Sequence, residues 1–419
     1  MTTSRERRRL DVVQTAPFPA YVVWELTLRC DHACTHCGSR AGVARETELD
    51  TAQALRVVDE LAELGAREVV LIGGEAYLHG GFLDIVRALG ARGIGAALVT
   101  GGRGITEELA LALAAAKQTH ASVSVDGLEA THDRMRNLRG SWQSAMTALE
   151  RLRAAGVPTA SNINLNRLNR GDLEALYAEL AARGIGSWQV QITSPLGRAA
   201  DRPELLLQPW DLLDVVPRVA ALKRVARAAG ITLTPGNNLG YFGPEETLLR
   251  SLTATDRDHW QGCQAGRFVM GIESDGAVKG CPSLQTTPYV GGNLRERPLR
   301  AIWEQSLAPV RELWGFCETC PFAATCQGGC TFTAHAVFGR PGNNPYCHYR
   351  ARALAKRGLR ERLVPATAAA GTPFDSGTFD LVVEALDAPD PNADLDAARL
   401  VKLSRRPDRA GRADRPDRA

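Results

Sequence analysis

The stretch Leu26-Thr27-Leu28-Arg29-Cys30-Asp31-His32-Ala33-Cys34-Thr35-His36-Cys37 spaces three thiols as C-x3-C-x2-C. It follows directly on Tyr21–Leu26, a run that reads as a β-strand. Three thiolates on one short loop can wrap three corners of an iron–sulfur cube. The fourth iron then has no protein ligand and is open to a substrate or cofactor. The competing reading is a zinc loop with a distant fourth ligand, although zinc sites more often use paired C-x2-C units. His32 and His36 lie inside the loop and read as packing or supporting groups, because the three thiolates already suffice.

Outward from this loop, short β-branched runs alternate with helical patterns as far as about Gly230. The further strands are expected at Glu68–Ile72, Gly95–Thr100, Ala121–Val125, Pro158–Leu165 and Ser187–Thr193. Between them, amphipathic stretches are expected to be helical at Asp50–Leu64, Phe82–Arg92, Thr106–Ala116, Ser141–Ala155 and Asp172–Arg183, followed by Pro209–Ala229. Six strand–helix units in a row demand parallel strands with right-handed crossovers. They can wind as an open sheet or as three-quarters of a barrel, and periodicity does not separate the two.

Residues 231–350 have a different texture, rich in Gly, Pro and Cys, and are expected to form a second domain. A hairpin is expected from Phe268–Glu273, the turn Ser274-Asp275-Gly276 and Ala277–Lys279, and one helix over Leu299–Trp314. This domain is short of apolar periodicity, and its cysteines are candidate staples. A C-terminal helix is expected over 351–364 and a disordered tail over 365–419, where Arg-Pro-Asp-Arg-Ala occurs at Arg406–Ala410 and again at Arg415–Ala419. Residues 1–20 read as an N-terminal arm.

Composition excludes several classes. With Lys+Arg 50 against Asp+Glu 47 in 419 residues, the net charge of +3 gives no case for general binding to nucleic acid or an anionic membrane surface. Apolar runs such as Val69–Ile72 fall far short of a membrane span. The basic N-terminus is not followed by an apolar h-region, so a cytoplasmic location is expected. The chain has 10 cysteines, none of them between Cys37 and Cys263. In a large chain without a secretory signal, clustered thiols read as metal ligands rather than disulfides.

The cysteine motif resembles that of the radical S-adenosylmethionine (radical SAM) superfamily. Gly73-Gly74-Glu75, at the end of the second expected strand, agrees with it. In that family this segment hydrogen-bonds the amino group of the SAM methionine, and glycines permit the close approach. The family usually continues with Pro, where this chain has Ala76. Ser124-Val125-Asp126-Gly127, followed by His132-Asp133-Arg134, resembles the fourth-strand segment of peptide-modifying members, in which the Ser position touches the SAM ribose. The resemblance implies an α/β fold, a partial (β/α)6 barrel with its site at the C-terminal strand ends.

The other seven cysteines resemble the SPASM extension of the same superfamily: Cys263, Cys281, then Cys317-x2-Cys320-x5-Cys326-x3-Cys330, then Cys347. The resemblance implies two auxiliary [4Fe–4S] clusters besides the [4Fe–4S] cluster held by Cys30, Cys34, Cys37 and SAM. Cys317, Cys320, Cys326 and Cys347 are expected to close the distal auxiliary cluster, and Cys263, Cys281 and Cys330 to supply three ligands to the nearer one. Some relatives add a cysteine where this chain has Val269. Sulfatase-maturing relatives carry an Asp where this chain has Pro282, which counts against that activity.

The implied reaction is reductive cleavage of SAM to a 5′-deoxyadenosyl radical that abstracts hydrogen from carbon, with the auxiliary clusters accepting the second electron. The leading substrate is a ribosomally made precursor peptide, and the alternative is a small molecule that is dehydrogenated or decarboxylated. An external flavodoxin- or ferredoxin-type donor and a separate leader-binding protein are the expected partners. Arg198 is a candidate to grip a carboxylate of SAM or substrate, and Asp126 is the candidate base. Gly236–Gly243 is a candidate cleft lining, with burial of its two aromatics at the domain seam the alternative.

Overall fold

A computed structural model describes residues 15–391 apart from Gln118 and Ser306. Most of the N-terminal arm and both Arg-Pro-Asp-Arg-Ala pentads therefore lie outside the described residues. The strands in chain order are β1 (Tyr21–Glu25), β2 (Glu68–Ile72), β3 (Gly95–Thr100), β4 (His120–Ser124), β5 (Thr159–Leu165), β6 (Ser187–Ile192), β7 (Thr232–Pro235), β8 (Val269–Ile272), β9 (Ala277–Lys279), β10 (Val290–Asn293), β11 (Leu359–Thr367) and β12 (Thr378–Ala385). The helices that pack on the barrel are α1 (Thr51–Glu63), α2 (Phe82–Ala91), α3 (Glu107–Ala115), α4 (Glu129–Arg136), α5 (Ser141–Ala154), α6 (Leu173–Ala182) and α7 (Leu212–Ala228).

β1 to β7 pair in sequence order and all parallel, as the strand–helix alternation demands. The sheet is open, with β7 at one end and β10 at the other. Seven parallel strands in sequence order, with helices between them and no closure of β7 onto β1, make a partial barrel.

α1 shows how local sequence sets the architecture. Asp50 accepts from the Gln53 backbone N–H, and the Gln53 side chain caps back onto Asp50. Ala54, Val57, Val58 and Leu61 then fall on one buried face. Gly65, with φ +80°, ends the helix in the left-handed conformation that costs glycine least.

The strands alternate between two environments. Val22, Trp24, Val69, Leu71, Leu98, Ile163, Trp188 and Val190 point into the apolar layer shared with the helices. The residues between them in sequence face the barrel interior. On β1 and β2 these are Tyr21, Val23, Glu25, Val70 and Ile72; on β4 to β6 they are polar, Ser124, Asn162, Asn164, Gln189 and Gln191. A large fold thus carries a second, partly polar face around a cavity at its centre.

The structure departs from the expected organisation in four places. First, the barrel sheet runs on across the boundary expected at residue 231. β7 extends the barrel sheet, and β8 pairs parallel with β1, so the cysteine-rich hairpin β8–β9 and β10 continue that sheet. Second, only Leu299–Trp303 of the expected Leu299–Trp314 helix is helical; Pro309 lies in the segment that follows, where it removes a backbone donor.

Third, the helix expected over 351–364 is displaced: the helix is His348–Ala355, and β11 begins at Leu359. Fourth, residues from 365 onward do not at once become a tail, because β12 pairs antiparallel with β11. Charges hid this hairpin. Arg360 and Glu361 are buried in β11, Arg360 pairs with Glu384 at 2.8 Å and Arg350 with Glu361 at 2.5 Å, so the run Leu359–Leu363 lacks the alternation of a half-buried strand.

Candidate active site

One cavity of about 560 Å³ opens at the C-terminal ends of the barrel strands. Its walls bring together Cys30, Cys34 and Cys37 with Gly73, Gly74, Glu75, Ser124 and Arg198, and also Cys263, Cys281 and Cys330. Residues more than 200 positions apart thus share one space. The remaining four cysteines, Cys317, Cys320, Cys326 and Cys347, surround a second, small cavity behind it, among Phe242, Phe316, Phe322 and Tyr349.

None of the ten thiols is paired in a disulfide. Burial pushes Cys30 and Cys330 up to about 12 and Cys34 and Cys281 up to about 11. Groups of buried thiols with so little tendency to ionise by themselves are a donor set that becomes stable as thiolate when metal replaces the protons. The spacing and clustering fit iron–sulfur ligation: three thiols on the first loop, three on the facing wall, four behind.

The first loop is fastened to the barrel by hydrogen bonds from several elements. The Gly74 N–H donates to the Thr27 carbonyl (2.7 Å) and the Glu75 N–H to the Arg29 carbonyl (2.9 Å). A Cβ at Gly74 would meet the Arg29 carbonyl at 2.2 Å and Cys30 Cβ at 2.7 Å, so this approach requires glycine. The Glu75 carboxylate accepts from Thr100 Oγ1 (2.6 Å) and from the Gly101 N–H (2.7 Å), tying the end of β2 to that of β3. Burial raises it to about 7, so a cation arriving beside it restores its full charge.

Arg198 does not present a free guanidinium to a carboxylate. Its Nε donates to the Cys34 carbonyl (2.7 Å), and Nη1 and Nη2 both reach the Ala41 carbonyl (3.2 Å). It braces both ends of the cysteine loop. The role expected of Arg198, gripping a carboxylate of SAM or substrate, has only the guanidinium N–H groups left over from these bonds to draw on.

Asp126 is not a cavity base either. It is fully buried and absent from the cavity walls. Its Oδ2 lies 2.7 Å from Arg136 Nη2 and 3.2 Å from His36 Nε2, and its Oδ1 accepts from the Asn164 N–H (2.9 Å). Burial opposes ionisation, but Arg136 and His36 overcome it and hold the carboxyl well below the usual carboxylate range. A group so firmly ionised is a poor proton acceptor. Arg136 also donates toward Cys34 Sγ (3.7 Å). Arg136 carries no motif of its own, although its place one helical turn after His132 puts both on the buried face of α4.

The segment after β7 divides between its two readings, with Phe242 only half-buried. Gly236, Asn237 and Asn238 line the large cavity, whereas Tyr241 is buried beside Trp260, with ring centroids 5.2 Å apart. Tyr241 Oη donates to the Asn237 carbonyl (2.6 Å) and accepts from the Cys330 N–H (3.0 Å). Trp260 Nε1 donates to the Cys326 carbonyl (3.2 Å).

Comparison with known proteins agrees with this geometry. The family model described as Radical SAM superfamily matches residues 24–180, and that described as an iron-sulfur cluster-binding domain, SPASM, matches 263–330. The chain is 31% identical to the mycofactocin maturase MftC of Mycobacterium ulcerans over 81% of its own length and 90% of that protein. It is 28% identical to the AdoMet-dependent heme synthase of Methanosarcina barkeri over 79% of its own length and 97% of that protein. Its fold is similar to that of Streptococcus suis SuiB in the crystal structure with the precursor peptide SuiA, at a TM-score of 0.62 and 18% identity over 75% of this chain and 72% of that one.

Proposed function

Because the chain belongs to the radical SAM superfamily and carries a SPASM domain, we propose that it cleaves SAM reductively and oxidatively modifies a ribosomally made peptide. The observation that carries this reading is the shared cavity: the SAM-site segment and two cysteine groups face one another across it. A [4Fe–4S] cluster on Cys30, Cys34 and Cys37 with SAM supplies homolysis of the sulfonium and abstraction of hydrogen from an unactivated carbon. Cys263, Cys281 and Cys330, and separately Cys317, Cys320, Cys326 and Cys347, would hold two auxiliary [4Fe–4S] clusters.

The protein's own residues position and shield. Gly73 and Gly74 let backbone approach the bound cofactor closely, and Glu75 offers a carboxylate for its ammonium group. Ser124 stands on the adjoining wall. The side-chain amides of Asn162, Asn164, Gln189, Gln191, Asn237 and Asn238 line the substrate space. Amides donate and accept at once, which matches the alternating N–H and C=O groups of an extended peptide. The arginines on these walls, Arg136 and Arg198, are engaged with Asp126 and with loop carbonyls. This counts against a polycarboxylate substrate such as a tetrapyrrole, the second reading, which the similarity to a heme synthase favours.

A flavodoxin- or ferredoxin-type protein would deliver the first electron, and a separate leader-binding protein would present the peptide. No described helix is long and apolar enough to cross a membrane, and we place the reaction in the cytoplasm. The test is anaerobic reconstitution with iron and sulfide, then dithionite and SAM. 5′-Deoxyadenosine is expected, and Cys30→Ala should abolish it. Absence of cleavage by fully loaded protein would overturn the proposal. A mass change in a short peptide encoded beside the gene would support the peptide reading, whereas turnover of a tetrapyrrole alone would replace it.

A further inference from the structure

The loop between β11 and β12, residues 368–377, has no part in the function argued so far, yet it reaches the active-site cavity. Phe374 is one of the residues lining that cavity and is itself buried. Its N–H donates to the carbonyl of Gly38 (3.1 Å), the residue directly after Cys37, and the Gly197 N–H donates to the Asp375 carbonyl (2.7 Å). Arg40, three residues beyond Cys37, ties the loop down further. Its Nε donates to Asp375 Oδ1 (2.9 Å) and to the Thr372 carbonyl (3.1 Å), while Nη1 pairs with Asp201 (2.7 Å). From the other side, the buried Lys279 ammonium stands 4.3 Å from the centroid of the Phe374 ring. Lys279 is fixed in turn by Glu273 (2.5 Å) and the Leu284 carbonyl (2.6 Å).

Phe374 has φ +57°, a left-handed conformation that is unfavourable for a bulky L-residue. Strain of this kind persists only where the surroundings over-determine it, and it concentrates at functional sites. Here the surroundings are the cysteine loop, the exit of β6 and the SPASM hairpin, three elements that all border the cavity. Chemistry that removes hydrogen from unactivated carbon needs a closed site, because small organic solutes with weaker C–H or S–H bonds compete as hydrogen donors.

We propose that this loop is the closing wall of the reaction cavity and that Phe374 is a positioning residue, its ring shutting solvent and small solutes away from the first cysteine group. The role rests on the radical SAM reading of the cavity, but its test does not need turnover. Full-length protein is reconstituted anaerobically, and release of its iron to ferrozine is followed optically. Phe374→Ala should release iron at least about tenfold faster than wild type, as the open population of the wall rises. Phe374→Leu, which keeps most of the bulk, should stay within about threefold, as should Val383→Ala on the exposed face of β12. Uncoupled SAM cleavage without substrate provides the second readout, and it should rise in Phe374→Ala alone.

Equal iron release from wild type and Phe374→Ala would overturn the proposal, as would an equal acceleration in Val383→Ala, which would mark mere loosening of the hairpin. If the wild type takes up no cluster, the radical SAM reading fails by itself. The wall is then judged on the apo protein by iodoacetamide alkylation of Cys30, Cys34 and Cys37, mapped by mass spectrometry. The same tenfold order is expected there, and equal alkylation would refute it.

Discussion

Asp126→Asn separates a structural carboxylate from a catalytic one. The substitution keeps shape and leaves an acceptor for the Asn164 N–H, but it removes the charge opposite Arg136. That guanidinium is buried, its Nε has no hydrogen-bond partner, and its other side-chain contact is the protonated thiol of Cys34 at 3.7 Å. Breaking a buried ion pair from one side costs about 3–5 kcal/mol. For a domain of barrel size, about 2 °C of melting temperature is lost per kcal/mol, so a fall of roughly 6–10 °C is expected. Because the same carboxylate holds His36, which sits between Cys34 and Cys37, iron content should fall as well.

The pH dependence has a definite sign. The folded-state pKa of Asp126 is depressed, so its stabilisation is present above the unfolded value of about 3.9 and is lost as pH falls below it. Asp126→Asn should therefore show a smaller loss of stability on acidification than wild type. The assay is differential scanning calorimetry of the apo and reconstituted protein, paired with iron analysis. The reasoning is refuted if the variant melts within about 2 °C of wild type, keeps its iron and cleaves SAM, yet makes no product. That pattern would return Asp126 to the role of base.

Gly74→Ala places a Cβ 2.2 Å from the Arg29 carbonyl and 2.7 Å from Cys30 Cβ, so SAM binding measured by equilibrium dialysis should fall at least about tenfold while the SPASM cysteines still load iron. His132 accepts the Asp126 N–H at Nδ1 (3.0 Å), and burial, with Arg136 second, lowers its pKa to about 3. The unfolded chain therefore takes up a proton between pH about 6.5 and 3 that the folded chain refuses, and stability should fall with pH across that window. His132→Gln should flatten that part of the acid-denaturation profile. Cys320→Ala should remove one cluster's worth of iron, about four atoms per chain, without abolishing SAM cleavage, because Cys320 borders the rear cavity alone.

Much of this architecture could be read from residues because the physics was local. Asp50 with Gln53, followed by Val57, Val58 and Leu61, states a helix start and its buried face within a dozen positions. Gly65 states its end. The cysteine groups were legible for a similar reason: thiols at short spacing must share a neighbourhood whatever the rest of the chain does. What stayed hidden depends on long-range pairing. Arg136 reaches Asp126 and Cys34 only after α4 has packed behind β4. Arg198 looked free because its partners are carbonyls of Cys34 and Ala41, more than 150 residues away, and backbone acceptors leave no trace in a sequence pattern. The β11–β12 hairpin failed in the opposite way. Its buried Arg360 and Glu361 mimic a solvated segment, and their partners Glu384 and Arg350 lie on other elements.

The order of groups through the molecule gives these details a common purpose. Cys263, Cys281 and Cys330 share the substrate cavity with the first cysteine group, and the last four cysteines do not. Between the two SPASM groups stands Tyr241, whose hydroxyl accepts the Cys330 N–H and whose carbonyl lies 3.9 Å from Cys347 Sγ. One buried residue therefore touches a cysteine of each group. Desolvation raises the Tyr241 pKa well above its ordinary value, so its hydroxyl keeps its proton and remains able to donate to the Asn237 carbonyl. Asn237 is itself a wall of the cavity. The hydroxyl thus fixes the cavity wall and the backbone of Cys330 by separate hydrogen bonds, beside the buried ring of Trp260. A buried junction whose hydroxyl keeps its proton at neutral pH holds the cavity wall and the two cysteine groups in one fixed arrangement.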